Sequence, residues 1–94
     1  DALIHVKSQS IKSAETYGAS WLFQKEDKIF KNCAENEYIA FCLVDKRDVE
    51  IKAIVQVKDV VDLLSEPKVW KYKDTKVALY LDDVLEKCEN LWKL

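Results

Sequence analysis

Two stretches of this chain carry side chains suited to chemistry on a phosphate. In Leu3-Ile4-His5-Val6-Lys7 an imidazole and a primary ammonium stand two residues apart. On an extended backbone that spacing puts both on one face. Ser20-Trp21-Leu22-Phe23-Gln24 ends on a third polar candidate, the amide of Gln24. The second stretch is Lys68-Val69-Trp70-Lys71-Tyr72-Lys73-Asp74-Thr75-Lys76. There Lys68, Lys71, Lys73 and Lys76 are suited to follow a phosphate backbone while Trp70 and Tyr72 stack on bases. Each stretch also has a plainer reading. Lys7 can snorkel at a sheet edge, and the later lysines can blunt an exposed strand against aggregation. Asp82, Asp83, Glu86 and Glu89, close downstream, offset the positive charge.

Other chemistries lack their parts. His5 is the single histidine, and no nearby Ser or Cys and acid specify a nucleophilic triad around it. The cysteines Cys33, Cys42 and Cys88 show no Cys-x-x-Cys spacing, so neither a zinc site nor a disulfide framework is expected. They read as reduced, mostly buried thiols of a cytoplasmic protein. The net charge of −2 gives no global drive toward nucleic acid or an anionic membrane. The longest apolar run, Tyr38 to Val44, is far too short to span a bilayer, and no signal-peptide pattern is present.

The elements that must position these groups follow from periodicity. Ninety-four residues make one small domain, 1–94. Tyr38-Ile39-Ala40-Phe41-Cys42-Leu43-Val44 is apolar throughout, as in a strand buried on both faces. Asp45 to Asp48 suit a hairpin loop, although no Gly supplies a positive φ. Val49 to Val57 then alternates, with Val49, Ile51, Ala53, Val55 and Val57 expected on a core face. Strands are also predicted at Ala2–Lys7, Ser20–Gln24 and Val77–Leu81. Ser8 to Tyr17 reads as a short helix ended by Gly18, or else as a long loop. Glu26 to Glu35 carries Ile29, Phe30, Cys33 and Ala34 on one helical stripe. Asp59 to Leu64 forms a short helix stopped by Pro67. Asp83 and Glu86 fit a capping box, followed by a terminal helix with Val84, Leu85, Cys88, Leu91 and Trp92 on its apolar face. The fold class is α+β or α/β: a mixed sheet of about four to five strands centred on the 38–57 hairpin, with a C-terminal helix.

From about Ala2 to Val57 this order resembles the later half of the restriction-endonuclease-like, PD-(D/E)xK, nuclease core. In that family a strand carries acid-x-Lys; the acid holds Mg²⁺ and the Lys serves the attacking water or the developing charge. Here the tripeptide is His5-Val6-Lys7, and Asp1 is too close to serve as the family's upstream acid. The resemblance therefore implies a degenerate or truncated member associated with DNA or RNA, not catalytic alone. No cofactor is expected; Mg²⁺ enters only if the nuclease reading holds, and no metal ligand is assigned. A second resemblance, over about Ser20 to Val84, is to small PUA-like domains of the EVE kind. It implies a modified base held in an aromatic pocket, with Trp21 and Trp70 as walls. The competing class is a non-enzymatic interaction module that forms a homo-oligomer through an exposed strand or the terminal helix.

Overall fold

The computed structural model describes residues 1–24, 26–31, 34–65 and 76–92. The fold is α+β, and the described residues form five strands in two sheets and three short α-helices. The central strand is β3 (Glu37–Val44). It pairs in parallel with β1 (Leu3–Ser10) and antiparallel with β4 (Val49–Gln56), so the first sheet has the order β1-β3-β4. The second sheet is the antiparallel pair β2 (Ser20–Gln24) and β5 (Lys76–Tyr80).

β3 is the doubly buried strand that its composition demands: Ile39, Phe41 and Leu43 are buried on one face, Ala40 and Cys42 on the other. Trp21 and Phe23 of β2 and Val77 and Leu79 of β5 bring the second sheet onto the first face. Val57, Val60 and Leu63, at i, i+3 and i+6 on α2 (Val57–Leu64), close the same core. α1 (Ile11–Tyr17) is the shorter of the two options for residues 8–17. Ser10 Oγ accepts from Ser13 N at its start, and Gly18, at φ 87°, ends it with its N–H on Ala14 O. A β-carbon there would be strained, which is why the chain's one glycine stands at this position.

Four sequence expectations are corrected. First, the apolar alternation of β4 does not stay on one face. Phe41 lies opposite Ala53 but Cys42 opposite Ile51, so Lys52 is the extra residue of a bulge. One inserted residue reverses the facing of everything before it. Ala53 and Val55 stay in the core, whereas Val49 is 67% exposed.

Second, Glu26 to Glu35 is not a helix. Its described part is a 3-10 turn at Lys28–Phe30. Asp27 turns its carboxylate onto Ile29 N, and the Ala34–Glu37 hydrogen bonds close a turn into β3. Asp27 thus caps this short turn, while Glu26 pairs with Lys31 Nζ at 3.7 Å. Ile29 and Phe30 still pack on the core.

Third, the capping box at Asp83 does not form. α3 (Leu81–Lys87) begins two residues before that Asp, because Leu81 N donates to Ala19 O, just before β2. Fourth, the helix does not run on to Trp92. Asn90 Oδ1 accepts from Ile54 N, and Leu91 N donates to Ile54 O, so residues 88–92 leave the helix and strap the outer edge of β4. Only Val84 and Cys88 of the predicted apolar stripe are buried; Leu85, Leu91 and Trp92 are exposed. The hairpin loop needs no glycine, since Asp45 Oδ1 accepts from Arg47 N and Asp48 N. These two N–H groups hold the Asp45 carboxyl below its ordinary pKa. Among the described residues no helix is long and apolar enough to cross a membrane.

Candidate functional site

Along β1, His5, Lys7 and Gln9 share the half-buried face; Ile4, Val6 and Ser8 share the exposed one. The three polar side chains are held in different ways. His5 Nε2 lies 3.3 Å from Glu37 Oε1, at the start of β3. Glu37 Oε2 accepts from Ala34 N at 2.8 Å. That backbone N–H and the His5 contact hold the Glu37 carboxyl below its ordinary pKa. Lys7 Nζ sits 4.8 Å from the centre of the Phe23 ring, a cation–π contact. No carboxylate pairs with it among the described residues.

Gln9 does something its sequence position does not announce. Its Oε1 accepts from Ser20 N at 2.9 Å, and its Nε2 donates to Gly18 O at 3.1 Å. Those are the two groups that flank Ala19 and that a neighbouring parallel strand would bind. The side-chain amide therefore stands in for a peptide group and joins β1 to the start of β2. Away from this joint no strand ladder links β1 and β2 among the described residues.

A cleft of about 550 Å³ opens where the two sheets part. That is within the usual range for a small-ligand site. β1 contributes Lys7, Ser8 and Gln9, and α1 contributes Ser13 and Tyr17. β2 gives Ser20, Trp21 and Leu22, and β5 gives Ala78 and Tyr80. The lining thus combines one ammonium with serine and tyrosine hydroxyls and one committed amide. The lining chemistry suits an oxyanion: Lys7 supplies charge and hydroxyls can donate, although the Ser20 hydroxyl already donates to Gly18 O.

The sequence candidates are distributed unevenly over this geometry. Lys7 lines the cleft. His5 is two residues away along β1, engaged with Glu37. Gln24 does not converge on Lys7; it points to the exposed side of β2 and lies directly across the ladder from Lys76. Lys68, Trp70, Lys71, Tyr72 and Lys73, like Cys33 and Pro67, lie outside the described residues. Trp21 is 2% exposed, with its ring 4.9 Å from that of Phe41 and its Nε1 donating to Cys42 O at 3.1 Å. Its ring is core, which removes one wall from the aromatic-pocket reading. Cys42 and Cys88 are buried, and burial pushes the Cys42 pKa up. Among the described residues no cluster of His, Cys, Asp and Glu is arranged to hold a metal.

Gln9, Ser13, Tyr17, Ser20 and Tyr80 are the cleft residues that sequence reasoning passed over. The available signal was the polar tract Ser8-Gln9-Ser10 running into a helix start. Tyr80 gave none, because an aromatic residue closing a strand reads as core. Comparison with protein-family models, with curated proteins and with solved structures finds no match to this chain.

The Glu37 arrangement makes a pH prediction. A carboxyl whose folded pKa is depressed contributes stability above its unfolded pKa and loses it as pH falls through the folded value. Glu37→Gln should therefore be less stable than wild type at neutral pH. The gap should close as pH drops through the carboxylate range. Urea unfolding at stepped pH reads this; parallel curves at every pH would mean that Glu37 stabilises nothing through its charge.

Proposed function

We propose that this domain associates with nucleic acid through the Lys7 cleft, in a thiol-reducing cytoplasmic setting, and does not cleave it unaided. The observation that carries this reading is Lys7. It is a half-buried ammonium held over the Phe23 ring, with no carboxylate partner among the described residues, in a cleft lined by hydroxyls. A half-buried cation without a counter-charge favours an anionic ligand. A phosphodiester matches both the charge and the donors. The absence of cleavage rests on the position where the resembled nuclease core would place its metal-holding acid, which here is His5. Glu37, the carboxylate paired with His5, already engages both oxygens, one on His5 and one on Ala34 N. A hard divalent ion needs several free oxygen ligands.

The expected result is weak, salt-sensitive oligonucleotide binding, best measured at about 20–50 mM salt, where screening is modest. Lys7→Ala should weaken it and flatten the slope of log K against log salt by about 0.7–0.9. Plasmid and oligonucleotide should remain intact in the presence of Mg²⁺. Cleavage lost on Lys7→Ala would restore a catalytic reading; binding indifferent to Lys7 would remove the cleft from it.

β1 favours a second reading, a homodimerising interaction module. Leu3, Ile4 and Val6 are 52%, 49% and 66% exposed, on a strand whose outer edge has no strand partner among the described residues. The outer edge of β4, by contrast, is strapped by residues 90 and 91. Antiparallel self-pairing about His5 would set Ile4 of one copy across from Val6 of the other on the exposed face. Sedimentation across a concentration series separates the readings: a monomer throughout excludes the dimer.

A further inference from the structure

We propose that the outward face of the β2–β5 ladder is a track for a few nucleotides of single-stranded nucleic acid, entered from the Lys7 cleft. The inference rests on the nucleic-acid reading of that cleft and specifies the ligand further. The register is the starting point. Trp21 lies across from Leu79 and Phe23 across from Val77, and all four are buried. The alternate pairs are Ser20 with Tyr80, Leu22 with Ala78, and Gln24 with Lys76. Period-two alternation puts these on the opposite face.

That face has an ordered chemistry. At the cleft end stands a hydroxyl beside an aromatic ring, Ser20 and Tyr80. In the middle Leu22, 46% exposed, supplies an apolar floor beside Ala78, which is 4% exposed. At the far end an amide and an ammonium, Gln24 and Lys76, are directly opposed. Five ladder positions span about 14 Å. An extended strand crossing this face meets a stacking surface, an apolar floor and a cation in turn, and Lys7 lines the cleft that adjoins its Ser20–Tyr80 end. Bases can use the ring and floor only when unpaired, since a duplex keeps its base faces stacked internally. The placement also gives Gln24 and Lys76 a shared role, although neither lines the cleft.

The test compares a fluorescein-labelled oligo(dT) of about twelve nucleotides with a hairpin duplex of similar length, by anisotropy over a salt series. Oligo(dT) should bind more tightly than the duplex. Tyr80→Ala should weaken oligo(dT) binding by about 5- to 150-fold and leave the salt slope unchanged, because stacking carries no counterion. Tyr80→Phe should retain wild-type affinity. Lys76→Ala, at the pair farthest from the cleft, should flatten the slope by about 0.7; it also decides the matter if Tyr80→Ala fails to fold by circular dichroism. Oligo(dT) binding that responds to Lys7→Ala but to neither Tyr80→Ala nor Lys76→Ala overturns the track and leaves the cleft reading standing. Preference for the duplex overturns the track as well. Binding of neither probe overturns both.

Discussion

Phe41→Ala is expected to cost about 3–5 kcal/mol of folding stability, the range for emptying a fully buried aromatic site. Phe41 is 0% exposed at the middle of β3. Its ring meets Trp21 at 4.9 Å and Phe23 at 6.1 Å, in tilted and edge-on geometries, so the second sheet is packed on it directly. Its strand neighbours, Lys7 on one side and Ala53 on the other, belong to the backbone ladders and cannot collapse into the void. A chain of this length has only about 5–14 kcal/mol of stability in total. At about 4–8 °C per kcal/mol the melting temperature should fall by roughly 12–40 °C. Thermal denaturation followed by circular dichroism measures this. An unchanged melting temperature would mean that the core does not centre on β3.

Trp21→Ala should cost a comparable 3–5 kcal/mol, for a partly different reason. The indole fills the space between the two sheets, and its Nε1 donates to Cys42 O, so truncation loses both packing and a buried polar contact. Trp21→Phe keeps part of the ring and should lose about 1–3 kcal/mol, mainly through the unpaired carbonyl. The comparison also decides between two roles for this residue. A ligand-cage tryptophan can be removed with the fold intact and the ligand lost. A core tryptophan shows its loss in a denaturant curve with no ligand present. The second outcome is expected here. A Trp21→Ala protein with wild-type urea midpoint would place the ring in a binding pocket instead.

The elements recognised correctly in the sequence are those whose signal is local and strong. β2 matches its predicted bounds, because two bulky apolar residues at i and i+2 leave one facing choice. β3 was legible as doubly buried, since seven successive apolar residues have no polar face to offer solvent. Gly18 ends α1 for a reason any local reading can supply. The hairpin was legible too, but not its register. The bulge at Lys52 depends on how β4 meets β3, and a period-two pattern carries no information about a residue left unpaired.

Helix ends failed in the same way. The competition at Asp27, Leu81 and Asn90 is won by hydrogen bonds that the sequence does not advertise: a side chain onto nearby backbone, the Ala19 carbonyl just before β2 and the edge of β4. The candidate site shows the division most clearly. Lys7 was visible as a cation on a strand face. Its counter-charge-free position over Phe23 exists only because β2 is laid against β1, sixteen positions along the chain. The cleft draws on β1, α1, β2 and β5, and no spacing rule links Gln9 to Ser20 or Lys7 to Tyr80. Composition and periodicity by themselves determined the class of fold, the buried strand and the residues able to carry charge, because these depend on neighbours within a few positions. Tertiary packing decided which face of β4 is core, where α3 stops, and which polar groups share a cleft, because each of these is settled by contacts between elements distant in sequence.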